Sequence, residues 1–81
     1  MYIAFTRRAD KDYSKLSQIL CKQVDKQLDL LIANIRHPSL DAKKYGGLEN
    51  VWQGRVNKSY RFYFYIIDDT YQILRIIPHP K

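Results

Sequence analysis

The segment Val51-Trp-Gln-Gly-Arg55-Val-Asn-Lys-Ser-Tyr60-Arg-Phe-Tyr-Phe-Tyr65-Ile-Ile-Asp-Asp-Thr70-Tyr-Gln-Ile-Leu-Arg75-Ile-Ile-Pro-His79 decides the fold. It is rich in β-branched and aromatic residues, which suit a half-buried pleated surface. Two polar clusters, Asn57-Lys58-Ser59 and Asp68-Asp69-Thr70, interrupt it with hairpin-loop composition. Three antiparallel strands are therefore expected at 51–56, 60–67 and 71–77. Treating each cluster as a three-residue loop sets the register. Arg55 then faces Arg61, Gln53 faces Tyr63, Tyr63 faces Arg75 and Tyr65 faces Ile73. On the other surface Trp52 meets Phe64 and Phe62 meets Ile76. A two-residue loop at Asp68-Asp69 would set Arg75 beside Phe62 and bury an unpaired charge, so the three-residue reading is preferred. Side chains alternate faces along a strand, and Arg55, Arg61, Arg75 and His79 share the parity of Tyr63 and Tyr65. The meander is thus expected to carry one apolar face and one cationic, aromatic face.

Upstream, Tyr2-Ile-Ala-Phe-Thr6 reads as a short strand. From Asp10 the period changes. Tyr13, Leu16, Leu20, Val24, Leu28, Leu31, Ile32 and Ile35 recur mostly every three or four residues, the stripe of a helix that buries one side. Ser17 before Gln18 is placed to cap a new helix, giving a short helix and then a longer one; a single continuous helix is the alternative. Pro38 disfavours helical geometry at His37 and ends the run, with His37 read as a cap on the helix's negative end. Residues 38–50 form a connection with room for one helical turn and the pair Gly46-Gly47. Cys21 falls in the apolar pattern as a small buried hydrophobe. The predicted class is α+β: an N-terminal strand, a helical hairpin or one long helix, then a three-stranded antiparallel meander. The 81 residues suffice for one domain, 1–81, of two layers.

Lys and Arg total 14 against 8 Asp and Glu, a formal charge of +6. The excess is even, with 7 basic and 4 acidic side chains in 1–40 and the same in 41–81. Such a balance favours polyanionic partners, nucleic acid foremost, with anionic lipid or acidic protein satisfying the same electrostatics. One cysteine cannot form an internal disulfide, which points to a reducing cytoplasm. No apolar run approaches the roughly 18–20 residues of a membrane helix. Two histidines and one cysteine without H-E-x-x-H or C-x-x-C spacing give no zinc site, and Gly46-Gly47 precedes no helix that could cradle phosphate. No cofactor and no metal are expected.

The cationic face suits a phosphodiester. Cleavage of RNA by a 2′-hydroxyl needs a base for that hydroxyl, an acid for the leaving oxygen and cations for the developing charge. Arg61 and Arg55 supply guanidinium groups, which bind phosphate oxygens in pairs. Tyr63 and Tyr65 offer stacking surfaces for unpaired bases, at about 1–3 kcal/mol per base. Imidazole is the side chain best matched to proton transfer near neutral pH, which singles out His79. Arg75, Gln53, Lys58 and Lys81 complete the candidate substrate-binding set.

With these motifs in order, the chain resembles the RelE/ParE family of bacterial toxins. The likeness rests on Arg36-His37-Pro38-Ser39-Leu40, Lys44-Tyr45-Gly46-Gly47-Leu48, Trp52-Gln53-Gly54-Arg55-Val56, Tyr60-Arg61-Phe62-Tyr63-Phe64-Tyr65-Ile66 and Ile73-Leu74-Arg75-Ile76-Ile77-Pro78-His79. The resemblance implies a two-layer RelE-like fold and a toxin of a type II toxin–antitoxin pair. It implies a ribosome-dependent endoribonuclease that cuts mRNA without a metal, held in a complex by a cognate antitoxin. By position Arg61 matches the arginine that stabilises phosphate charge, Arg55 a basic position one strand earlier, and His79 the acid or base of histidine-type members. Gln53 stands where many members carry a basic residue. The branch that poisons DNA gyrase shares the fold, and a noncatalytic basic module neutralised by an antitoxin is the third reading.

Overall fold

Tyr2–Phe5 forms strand β1, Arg7–Ser14 helix α1 and Gln18–Ala33 helix α2. A 3-10 turn follows at Pro38–Leu40, then the short strand β2 at Lys43–Lys44. Val51–Arg55, Tyr60–Ile67 and Thr70–Pro78 are strands β3, β4 and β5. The computed structural model describes residues 1–47 and 50–79, which leaves Leu48, Glu49, Pro80 and Lys81 outside.

Both helices start where a hydroxyl can replace a missing backbone partner. Thr6 accepts from the Ala9 N–H at 3.2 Å and Ser17 from the Leu20 N–H at 3.2 Å. The Ser17 cap selects two helices over one continuous helix, and α1 begins three residues ahead of the Asp10 start read from periodicity. Val24, Gln27, Leu28 and Leu31 are the buried positions of α2. Ile32, assigned to the apolar stripe, is instead exposed, because the buried side of α2 runs through Gln27. Gln27 donates to the Arg55 carbonyl at 2.8 Å and the Ser39 carbonyl at 3.2 Å, tying helix, 3-10 turn and sheet together. His37 does not cap α2. Its Nδ1 accepts from the Ser39 N–H at 3.2 Å and opens the 3-10 turn, while the Asn34 N–H closes α2 on Leu30. Cys21 is half-buried, with Sγ 3.6 Å from the Tyr13 carbonyl oxygen.

The class is α+β, as expected. The sheet has five strands in the order β1-β5-β4-β3-β2, with β1 parallel to β5 and the other pairs antiparallel. The fifth strand is β2, whose two residues pair with Gln53 and Trp52. Neither its length nor its Lys-Lys composition marks it as a strand.

Between β3 and β4 the register follows the sequence reading, with Trp52 opposite Phe64, Gln53 opposite Tyr63 and Arg55 opposite Arg61. Between β4 and β5 it holds only near the chain end, where Phe62 faces Ile76 and Tyr63 faces Arg75. The register then shifts at Tyr63/Phe64, so that Phe64 faces Ile73 and Tyr65 faces Gln72, not Ile73. The turn is two residues, Asp68-Asp69, between the pair Ile67 and Thr70, with Asp68 at φ 53°. Leu74 is the extra residue of a β-bulge, a feature that parity counting cannot see. The bulge lets a two-residue turn coexist with Arg75 opposite Tyr63, so no charge is buried beside Phe62.

The sheet's inner face brings Phe62, Phe64, Ile73 and Ile76 against Ala9, Val24, Leu28, Leu31 and Leu40. Full burial of such a side chain stabilises by about 1.5–3 kcal/mol. Phe62 and Phe64 stack at 5.5 Å and Phe64 stacks on Trp52 at 6.2 Å. Phe62 lies directly over Gly54, and a Cβ added there would collide with its ring. Among the described residues no helix is long and apolar enough to cross a membrane.

Gly54→Ala should therefore destabilise the fold by about 1–3 kcal/mol, the usual cost of overpacking. Gly47→Ala, with nothing within 4 Å of the added Cβ, should change stability far less. Urea denaturation of the two variants measures the contrast.

Candidate functional site

Arg55 and Arg61 occupy directly opposed positions on β3 and β4, so their side chains leave the sheet on the same side. Opposed like charges are destabilising, and the structure holds the two differently. Arg61 is only 9% exposed. Its Nη1 donates to the Asn57 carbonyl at 2.6 Å and the Tyr60 carbonyl at 3.0 Å. A guanidinium carries five N–H donors, and Nη1 accounts for two of them. Among the described residues the Nε and Nη2 donors have no protein acceptor. Arg61 is thus anchored to the turn through one nitrogen. Arg55 is exposed, with Nη2 3.7 Å from Asp41 Oδ2, which Lys43 shares at the same distance. A pair this open contributes at most about 1 kcal/mol, and an anion of higher charge density can displace it.

The turn that anchors Arg61 is organised by Asn57. Its Oδ1 accepts from the Ser59 N–H at 2.7 Å and the Tyr60 N–H at 2.8 Å, while Nδ2 donates to Gln23 Oε1 at 2.7 Å. Lys58 stands exposed on this turn. The pairing of β4 with β5 runs on past Tyr60 and Pro78, since the His79 N–H donates to the Ser59 carbonyl at 2.7 Å. His79 is exposed and arrives at the same end of the sheet as Lys58, Arg55 and Arg61. Lys81, the remaining candidate cation of this segment, lies outside the described residues.

Away from that end the open face is aromatic and apolar rather than cationic. Tyr45, Val51, Tyr63, Tyr65, Leu74, Arg75 and Ile77 line a shallow depression of about 370 Å³. Tyr63 meets Tyr45 edge to face at 4.8 Å. Burial pushes the Tyr63 hydroxyl above the usual tyrosine pKa, the Tyr45 phenol adds to the shift and Arg61 opposes it. Tyr63 is therefore neutral at physiological pH and serves as a stacking wall or hydrogen-bond donor, not as a base. Gln53, opposite Tyr63, is buried between β2 and β4.

Arg75 lines the depression, but its charge is directed away from it. Nε donates to Asp12 Oδ2 at 2.7 Å and Nη2 to Asp12 Oδ1 at 3.2 Å, and the Ile76 N–H adds a third bond to Oδ2 at 3.0 Å. Burial of Asp12 acts to raise its pKa. The Arg75 hydrogen bond, the Ile76 N–H and the charges of Arg75 and Arg8 together outweigh it, so the carboxyl lies below its ordinary value. Asp12 stands 63 residues from Arg75, and nothing local in the sequence pairs them. Asn57 and Tyr45 also escaped the sequence reading as site residues. An Asn opening a three-residue hairpin loop is a readable turn signal.

No protein-family model matches the chain, and no curated protein matches it by sequence. Solved structures do match. The YoeB/ParE toxin from Agrobacterium tumefaciens superposes with a TM-score of 0.84 at 12% identity, covering 99% of this chain and 100% of that one. The chain has the RelE/ParE toxin fold. The toxin–antitoxin complex RelBE from E. coli gives 0.77 at 20% identity, and the YoeB–YefM complex from Staphylococcus aureus 0.80 at 19%, each covering 99% of this chain and 98% of theirs. At these identities the likeness is one of RelE/ParE architecture, extending over nearly the whole of each chain.

The Asp12 contacts make a stability prediction. A carboxylate whose folded pKa is depressed contributes stability above its unfolded pKa of about 3.9 and loses it as pH falls through the folded value. Asp12→Asn should cost about 1–2 kcal/mol at pH 7, the low end for charge-assisted bonds because Arg75 is one-third exposed. The gap to the parent chain should narrow below about pH 4. Denaturant midpoints across pH 2–7 read both effects.

Proposed function

We propose that this chain is the toxin of a type II toxin–antitoxin pair, acting in the cytoplasm as a ribosome-dependent, metal-independent endoribonuclease on mRNA. The observation that carries the reading is Arg61, fixed through Nη1 to two carbonyl groups on the same side of the sheet as Arg55, with no acceptor for its other donors among the described residues. A preorganised guanidinium of this kind meets phosphate charge without rearranging, which is what electrostatic catalysis requires. The RelE/ParE fold supports the assignment, because proteins named as toxins or toxin–antitoxin complexes share the architecture over nearly the full chain.

In the proposed reaction the ribose 2′-hydroxyl attacks the adjacent phosphorus and the P–O5′ bond breaks. The products are a 2′,3′-cyclic phosphate and a free 5′-hydroxyl. The 2′-hydroxyl proton leaves to a base, and the 5′-oxygen takes a proton from an acid. His79 is assigned one of these roles, because it is brought to the arginine end of the sheet by the Ser59 carbonyl. Arg61 and Arg55 neutralise the charge that builds on the non-bridging oxygens. Lys58 contributes to holding the strand, and Lys81 is assigned the same task. Tyr63 and Tyr65, with Tyr45, form the base-stacking floor, with Gln53 supporting Tyr63 from β3. Arg75 enters as part of that floor through its aliphatic stem, its charge being neutralised by Asp12.

A cognate antitoxin is the proposed protein partner, a segment that folds on the toxin and covers its basic surface in a hetero-oligomer. The alternative readings, gyrase poisoning and noncatalytic docking, require no proton transfer and so give His79 no task.

Expressed in bacteria, the parent chain should arrest growth and cut mRNA on translating ribosomes. Arg61→Ala should lower cleavage by about 10²–10³, as loss of a charge-stabilising donor does. His79→Ala should lower it by about 10²–10⁴. Because Arg61 also holds the hairpin turn, Arg55→Ala and the circular dichroism of each variant separate catalysis from folding. Growth arrest that persists undiminished in a folded Arg61→Ala chain sinks the site. Inhibition of supercoiling without mRNA cleavage would transfer the chain to the gyrase reading.

A further inference from the structure

Helix α1 carries a second cationic cluster, beyond β5 and away from the Arg55–Arg61 pair. Arg8, Lys11 and Lys15, together with Asp12 and Arg75, line a depression of about 260 Å³. Positions 8, 11 and 15 follow helical spacing, so the three cations stand along one side of the helix over roughly 10 Å. Asp12 is the one acid in the cluster, and both its oxygens are already committed to Arg75 and the Ile76 N–H. Among the described residues none of Arg8, Lys11 and Lys15 has a carboxylate within 4 Å.

The surroundings decide which polyanion fits. A helix that lies in a lipid interface needs an apolar side open to solvent. The apolar residues of α1 are turned inward instead: Ala9 is fully buried, and Tyr13 packs edge to face on Phe5 at 5.6 Å and donates to Asp25 at 2.8 Å. Three cations over about 10 Å suit the closely and regularly spaced phosphates of a nucleic-acid backbone. We infer that Arg8, Lys11 and Lys15 form a docking surface for an RNA backbone, separate from the candidate cleavage site and indifferent to base sequence. The choice of RNA over DNA rests on the proposed nuclease function. The depression accepts a phosphate against Arg8, Lys11 and Lys15, while Asp12 keeps Arg75 in place behind it.

The test is equilibrium binding of the full chain to a structured RNA hairpin across a salt series. Arg8→Ala/Lys11→Ala/Lys15→Ala is compared with Lys22→Ala/Lys26→Ala/Arg36→Ala, which removes the same charge from α2 and the residue region after it. The α1 variant should bind at least about tenfold more weakly at moderate salt, and its slope of log affinity on log salt should fall by about 2. The α2 control should lose clearly less. Equal losses in the two variants would show that net charge alone matters and would overturn the proposal. Unchanged binding in the α1 variant would overturn it too, as would tighter binding to polyglutamate, to phosphatidylserine vesicles or to a DNA hairpin of the same sequence. Melting temperatures of both variants exclude unfolding as the cause. The assay scores no cleavage, so the two readings fail independently: hairpin binding through α1 by a chain that cuts no mRNA would end the nuclease reading alone.

Discussion

Ile73 and Ile76 are three residues apart in one strand and both are buried in the core. A regular strand would send them to opposite faces. The bulge at Leu74 is what reconciles them, and much of the molecule is arranged to hold it. Thr6 is the key residue on one side: its N–H donates to the Ile73 carbonyl at 2.9 Å and its hydroxyl to the Leu74 carbonyl at 3.1 Å. The same hydroxyl accepts from Ala9 and so begins α1. One helix turn further on, Asp12 takes the Ile76 N–H. The edge of β5 that β1 leaves unpaired is therefore completed by the two ends of α1, and the helix is positioned by the irregularity it stabilises.

This arrangement also divides the arginines by function. The bulge places Arg75 opposite Tyr63, on the open side of the sheet, yet within reach of Asp12 at its edge. Arg75 thereby becomes a structural cation that locks helix to strand. Arg61 lies where the ladder is regular, and its anchors are carbonyl oxygens of the turn rather than a carboxylate. Carbonyl groups orient a guanidinium without cancelling its charge. The distinction matters because a site for phosphate needs a cation that is both immobile and still positive. Arg55, exposed and loosely paired with Asp41, supplies charge but little order.

What the sequence disclosed follows the range of the forces involved. The β3–β4 hairpin was legible because each face has its own composition and the loop carries Asn57 at its start, so register and polarity agree. The Ser17 cap was legible because capping is a local matter of hydroxyls, whereas the end of α2 was not: the helix stops at Ala33 with Asn34 as its cap, short of the Arg36-His37 end that Pro38 suggested. The β4–β5 register was half legible. Parity placed Tyr63 opposite Arg75, whereas Tyr65 facing Ile73 failed because a bulge is fixed by Thr6 and Asp12, which lie in another part of the chain. The same distance hid the Arg75 ion pair, and with it the fact that the open face is more tyrosine and aliphatic than cationic. Ile32 misled for a related reason: periodicity ranks residues by polarity, and Gln27 was bought into the core by two carbonyl acceptors that no pattern reveals.

The RelE/ParE architecture persists here at identities of 12–20% to the toxins and toxin complexes it matches. So little shared sequence means that the likeness is one of fold and carries no particular side chain over to this chain. Functional residues must then be argued singly. For Arg61 the argument is geometric, since its carbonyl anchors belong to the β3–β4 hairpin. For His79 the argument is placement, because the bond from its N–H to the Ser59 carbonyl extends the ladder one step beyond Pro78, to the arginine end of the sheet. The sequence of dependence therefore runs from Asn57, which shapes the turn, to Arg61, which the turn holds, and to His79, which the turn receives. The three-residue loop thus holds the proposed phosphate-binding arginine and receives the proposed proton-transfer histidine.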